Sequence, residues 1–178
     1  PIPETAEFMI DAKEKEKEKI GLSKKVEESN AKLVEFWSRL KTKLVEDGFE
    51  YLERVSSKPH YNIGFWKGSA KFAFCIGRNH FRVEIYFMHD EDKVMFDTMH
   101  RYKNDLESKL SGLVWQRLDD KKASRIKLET TNEELLAFNG NWNDKSNWED
   151  LIKWFSISMQ KFYSEVYPFW VKAQKEIN

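Results

Sequence analysis

The sequence predicts an α+β fold, with a mainly antiparallel sheet of about five strands packed by a long N-terminal, a central and a C-terminal helix. Three observations carry that expectation. Apolar residues recur with helical period before residue 48. Three short segments rich in aromatic and β-branched residues follow between residues 61 and 88, divided by glycine-bearing turns. The order helix, three strands, helix, two strands, helix is then that of an α+β domain with helices covering one face of an antiparallel sheet.

The elements follow in order. Residues 1–22 read as a charged linker or frayed helix, because Lys13 to Lys19 alternates in sign and so places like charges four apart. Residues 23–178 read as a single domain. From Ser23 the residues Val26, Leu33, Phe36, Trp37, Leu40 and Leu44 recur at helical spacing until Gly48 stops the run. Strand character marks Tyr61 to Trp66, Lys71 to Ile76 and Phe81 to Met88, with turns at Gly68 to Ser69 and Gly77 to Asn79. Asp90 suits the N-cap of a helix running to about Leu110, with Met95, Phe96, Met99, Tyr102 and Leu106 on its apolar stripe. Leu113 to Leu118 and Ser124 to Leu128 form two more strands. A loop-rich stretch past Thr131 leads to a last helix from Trp148, carrying Leu151, Phe155, Met159, Phe162 and Val166.

Composition narrows the function classes. Thirty basic and thirty acidic residues cancel, so the whole molecule has no overall pull on polyanions. Seven Trp and thirteen Phe supply a large core for one domain. The lone Cys75 rules out a disulfide framework or a Cys-rich zinc module and fits a reducing cytoplasm. No run approaches the ~18 apolar residues of a membrane span. His60, His80, His89 and His100 have no metal-ligand spacing, so neither metal nor cofactor is expected.

Several strings resemble a bacterial family of unknown function whose domain often stands at the C-terminal end of restriction-endonuclease-like proteins of the PD-(D/E)xK type. They are Glu35 to Trp37, Tyr61 to Phe65, Arg82 to Tyr86, Phe96 with Asp97, Leu106 with Glu107, Trp115 to Leu118, Lys121 to Ile126, Trp148 and Trp154. The resemblance spans about Leu33 to Tyr167. It implies a nuclease-associated neighbourhood rather than a reaction, since the nuclease motifs of the longer members lie in a separate N-terminal domain.

Charge is segregated along the chain even though it cancels overall. From Arg54 through Val83 there is no Asp or Glu, while Lys67, Lys71, Arg78 and Arg82 interleave with aromatic residues. A second basic cluster joins Lys121, Lys122, Ser124 and Arg125. Basic groups alternating with aromatic rings on a sheet suit phosphate contact and base stacking. These eight residues are therefore the expected contacts to DNA or RNA, against the plainer reading of an ordinary solvated sheet face. Strand period puts Arg82 and Glu84 on one face, and with Ser124 from a neighbouring strand they would form an anion pocket. Phe169 and Trp170, after Pro168, are the expected interaction surface for a partner or a homodimer. The acidic run Asp90 to Asp92 is explained by helix capping, which leaves no nuclease carboxylate cluster. The chain thus reads as a non-catalytic accessory domain that engages nucleic acid or a linked or separate nuclease, with a protein interaction or dimerisation module as the alternative.

Overall fold

The computed structural model describes residues 3–78 and 80–178, with side chains from residue 12 onward; Pro1, Ile2 and Asn79, the last residue of an expected turn, lie outside it. Helix α1 runs over Pro3–Glu46. Strands β1 (Asn62–Lys67), β2 (Ala70–Ile76) and β3 (Phe81–Phe87) follow, then helices α2 (Val94–His100) and α3 (Lys103–Lys109). Strands β4 (Leu113–Gln116) and β5 (Ser124–Glu129), a short helix α4 (Asn132–Ala137), a 3-10 turn over Lys145–Asn147 and helix α5 (Trp148–Ile177) complete the chain. All strand pairs are antiparallel, in the order β1-β2-β3-β5-β4.

One face of the sheet makes the core. Phe72, Phe74, Phe81, Val83, Ile85, Phe87 and Ile126 point towards the helices and are buried there. The apolar stripe of α5 (Leu151, Phe155, Met159, Phe162, Val166, Trp170) packs on them, with Leu33, Phe36, Trp37, Leu40 and Leu44 of α1 beside it. Edge-to-face ring pairs such as Phe36–Trp148 and Phe74–Phe155, with centroids 5.3 and 5.7 Å apart, fill this layer. Five indoles are anchored through their N–H groups: Trp37 to the His60 carbonyl, Trp115 to Glu107, Trp148 to the Trp142 carbonyl, Trp154 to Glu134 and Trp170 to the Lys67 carbonyl. Gly48, with φ of 84°, ends the packed part of α1 as its position predicts.

Four elements depart from the sequence reading. The charged segment before Ser23 is continuous with α1 and exposed from residue 12 to 28; Val26 is exposed with it, because α1 enters the core only at Leu33. The central helix is divided in two, where the Tyr102 N–H bonds to the Met99 carbonyl in a tighter turn. A capping box, in which Thr131 accepts from the Glu134 N–H and Glu134 from the Thr131 N–H, makes α4 out of an expected loop. Finally, α5 continues through Pro168, whose ring lies on the exposed side where the missing N–H breaks no core contact.

Asp90 does cap the central segment, accepting from the Met95 and Phe96 N–H groups at 3.0 Å each. Between cap and helix sits a residue no periodicity reveals. Lys93 is buried, has φ of 59°, and donates its ammonium to the carbonyls of Leu118, Lys121 and Ala123 at 2.7–2.8 Å. That clasp fixes the turn between β4 and β5.

Candidate functional site

Among the described residues no helix packs on the second face of the sheet. Alternation within each strand and the register between strands arrange its side chains as a grid. One row reads Asn62, Cys75, Arg82, Glu129; the next Gly64, Ala73, Glu84, Lys127; the third Trp66, Lys71, Tyr86, Arg125. The middle row begins with the two smallest residues, so the surface sinks over Gly64 and Ala73 into a hollow of about 300 Å³. Gly64 is required there: a Cβ would strike the Phe72 carbonyl oxygen and come within 2.9 Å of the Ala73 Cα.

Glu84 forms the wall of the hollow. Its side chain is only 3% exposed. Oε1 accepts from Arg82 Nε at 2.7 Å and from the Cys75 thiol at 3.0 Å. Oε2 faces Arg125 Nε at 3.6 Å, beyond hydrogen-bonding distance, and that buried Nε has no other partner. Arg125 also lies over the Tyr86 ring, 5.4 Å from its centroid. A single carboxylate thus holds two guanidinium groups, an arrangement whose desolvation cost is met only while all three groups stay together. Burial, and then the Glu84 charge, push the Cys75 thiol far above its ordinary range, so it serves as a donor to Glu84 and not as a nucleophile.

The remaining charges divide unevenly. Glu129 takes Lys127 and lies 3.6 Å from His80. Lys71 has no ion-pair partner among the described residues, and its stem crosses above Gly64. Around the hollow, then, Lys71, Arg82 and Arg125 face the one carboxylate of Glu84. Trp66, 49% exposed, and Tyr86 flank Lys71 in the same row.

Of the expected contact residues, Lys71, Arg82 and Arg125 share this open face. Lys121 and Lys122 are exposed in the β4–β5 turn, at the end of the sheet where Arg125 lies, and Arg78 is exposed in the β2–β3 turn at the other end. Lys67 is turned the other way, its ammonium 4.2 Å above the Tyr51 ring on the helix side. Ser124 also leaves the set: paired with Phe87, it points to the core and donates to Asp90 at 2.6 Å. The expected anion pocket is therefore Arg82 and Glu84 with Arg125, not Ser124. Phe169 and Trp170 are buried, because the unbroken helix places them with Val166 and Ala173 on the core stripe; they offer no interaction surface. Cys75 and Trp66 enter the site by cross-strand register that no local string encodes, and Tyr86 by the alternation of β3 that also places Arg82 and Glu84.

Among the described residues no group of His, Cys, Asp or Glu is placed to hold a metal ion, and no helix is long and apolar enough to cross a membrane. A family described as a domain of unknown function (DUF4268) matches residues 34–169, and the chain belongs to that family. The match covers every element from the packed part of α1 to Phe169. No curated protein and no solved structure matches.

Proposed function

We propose that this member of the family is an accessory domain of the cytoplasm that engages nucleic acid through the open face of its sheet, without catalysing a reaction itself, and that it serves a linked or partner nuclease. One observation carries the reading: three cations against one carboxylate, beside the exposed Trp66 and the half-buried Tyr86 on the open sheet face. Lys71 and the two arginines suit phosphate oxygens, and Trp66 and Tyr86 suit stacked bases. The nuclease association rests on the sequence resemblance alone. With Phe169 and Trp170 buried, the dimerisation alternative loses the surface that motivated it.

Fluorescence anisotropy with labelled single-stranded and duplex DNA and RNA, between about 50 and 200 mM salt, tests it. Lys71→Ala should weaken binding and lower the salt slope by about one, whereas Lys161→Ala, on the exposed side of α5, should do neither. An absence of salt-sensitive binding at low salt would overturn the proposal.

A further inference from the structure

We infer that the outer edge of β1 takes an extended acidic peptide as an added strand of the sheet, a contact that does not rest on the nucleic-acid reading above. β1 is the last strand on its side of the sheet. The Ile76 N–H bonds to the Tyr61 carbonyl at 2.8 Å, and with Asn62 facing Cys75 this fixes the phase of the ladder. Tyr61, Ile63, Phe65 and Lys67 turn their backbone groups to β2, so the N–H and C=O groups of Asn62, Gly64 and Trp66 point outward. Among the described residues nothing bonds to those outward groups. The strand also lacks the devices that guard an edge. It has no proline, its register runs without a bulge, and its one charged residue, Lys67, lies over the Tyr51 ring on the helix side. β4, at the opposite edge, has four residues against the six of β1.

A groove of about 380 Å³ runs along this edge. Its outer wall is the segment 55–60, which α1 holds away from β1: Lys41 donates to the Val55 carbonyl and Trp37 to the His60 carbonyl. The charges of the groove select its occupant. Lys58 and His60 stand exposed on the wall, Lys71 reaches over Gly64 from β2, and among the described residues no carboxylate lines the groove. A second copy of the chain would bring the same cations to the edge and be repelled, whereas carboxylates would meet them. A paired strand alternates its side chains between the two faces of the sheet. Those on the open face would lie beside Asn62, Gly64 and Trp66, within reach of Lys71; those on the other would lie against Val55, Ile63 and Phe65. The segment that fits therefore alternates acidic and apolar residues over about five positions, its main chain supplying affinity and its side chains selection.

The test uses the full chain and fluorescein-labelled heptapeptides in anisotropy titrations. One alternates glutamate and valine, one alternates lysine and valine, and two are forms of the first N-methylated at alternate amides in opposite phases. The glutamate–valine peptide should bind about tenfold or more tightly than the lysine–valine peptide. One methylated form should lose about tenfold or more in affinity while the other stays within about twofold, because only one set of amides faces β1. Lys58→Glu, at an exposed position, should weaken the glutamate–valine peptide about fivefold or more. Equal losses in both methylated forms, or in neither, would reduce the contact to surface charge and overturn strand addition. Equal affinity for the two charge types, or no binding at all, would overturn the acidic occupant, and unchanged affinity in Lys58→Glu would remove the peptide from this groove. A homodimer in sedimentation that the peptide disperses would give the edge to a second copy instead. The methylation contrast is read on the unaltered chain, so the outcome does not depend on a variant folding.

Discussion

Arg82 Nε and Glu84 Oε1 lie 2.7 Å apart on a sheet face that carries no helix, yet the carboxylate is almost completely buried. Neighbouring side chains rather than a second layer of structure exclude water from it. Because the pair is adjacent in one strand and Arg125 comes from the next, breaking it strands a charge in a place with little water. Glu84→Ala should therefore cost about 3–5 kcal/mol in urea unfolding. A cost below about 1 kcal/mol would mean that the arginines find solvent without it.

Gly64→Ala should be destabilising out of proportion to its size. The added methyl meets backbone of β2 on two sides, the Phe72 carbonyl and the Ala73 Cα, and neither yields as a side-chain end would. A loss of about 2 kcal/mol is expected by thermal or denaturant unfolding.

Lys93→Met keeps the stem and removes the ammonium that three carbonyls share. The expected loss is about 3 kcal/mol. Amide exchange should rise first at residues 118–123, the turn that the ammonium holds.

Trp170→Ala should lower stability by about 3–5 kcal/mol, since it empties a buried site against Phe87 and removes the bond to the Lys67 carbonyl. Its sedimentation behaviour should match wild type at temperatures where both are folded. A change of oligomeric state with unchanged stability would restore the residue to a surface role.

Asp47 gives a pH signature. The Ser156 hydroxyl, 2.6 Å away, and then the Lys43 ammonium hold its carboxyl below the ordinary 3.8. A carboxyl depressed in the folded state stabilises above the unfolded value, and that contribution disappears as pH falls through the folded one. The stability gap between wild type and Ser156→Ala should therefore be full at neutral pH and shrink below about pH 4. Chemical unfolding at several pH values measures it.

Period and punctuation made most of the fold legible. Gly48, the strand alternation of Phe81 to Phe87 and the stripe from Leu151 to Val166 each specify an element through local geometry. Local reading failed where tertiary contacts decide. Phe169 and Trp170 read as exposed because they follow Pro168, but a proline on the outer side of a well-packed helix can be accommodated, and the buried stripe carries the helix through it. Nothing in the string around Lys93 marks it as buried, because its three acceptors come from a turn some thirty residues on. Thr131 and Glu134 carried a legible capping signature that the surrounding acidic stretch obscured. In the site, Arg82 and Glu84 could be placed on one face from their own strand. Arg125 and Cys75 join them, and Ser124 leaves, only once the register of β2, β3 and β5 is known.

The anchoring of the indoles has an optical consequence. Trp37, Trp148 and Trp170 are buried with fixed N–H partners, Trp142 is buried, and Trp115 and Trp154 are partly sheltered and bonded. Trp66 alone stands half in solvent on the open face. The emission of the native protein should therefore contain one red-shifted, acrylamide-accessible component, and that component reports the occupancy of the sheet face without any attached dye.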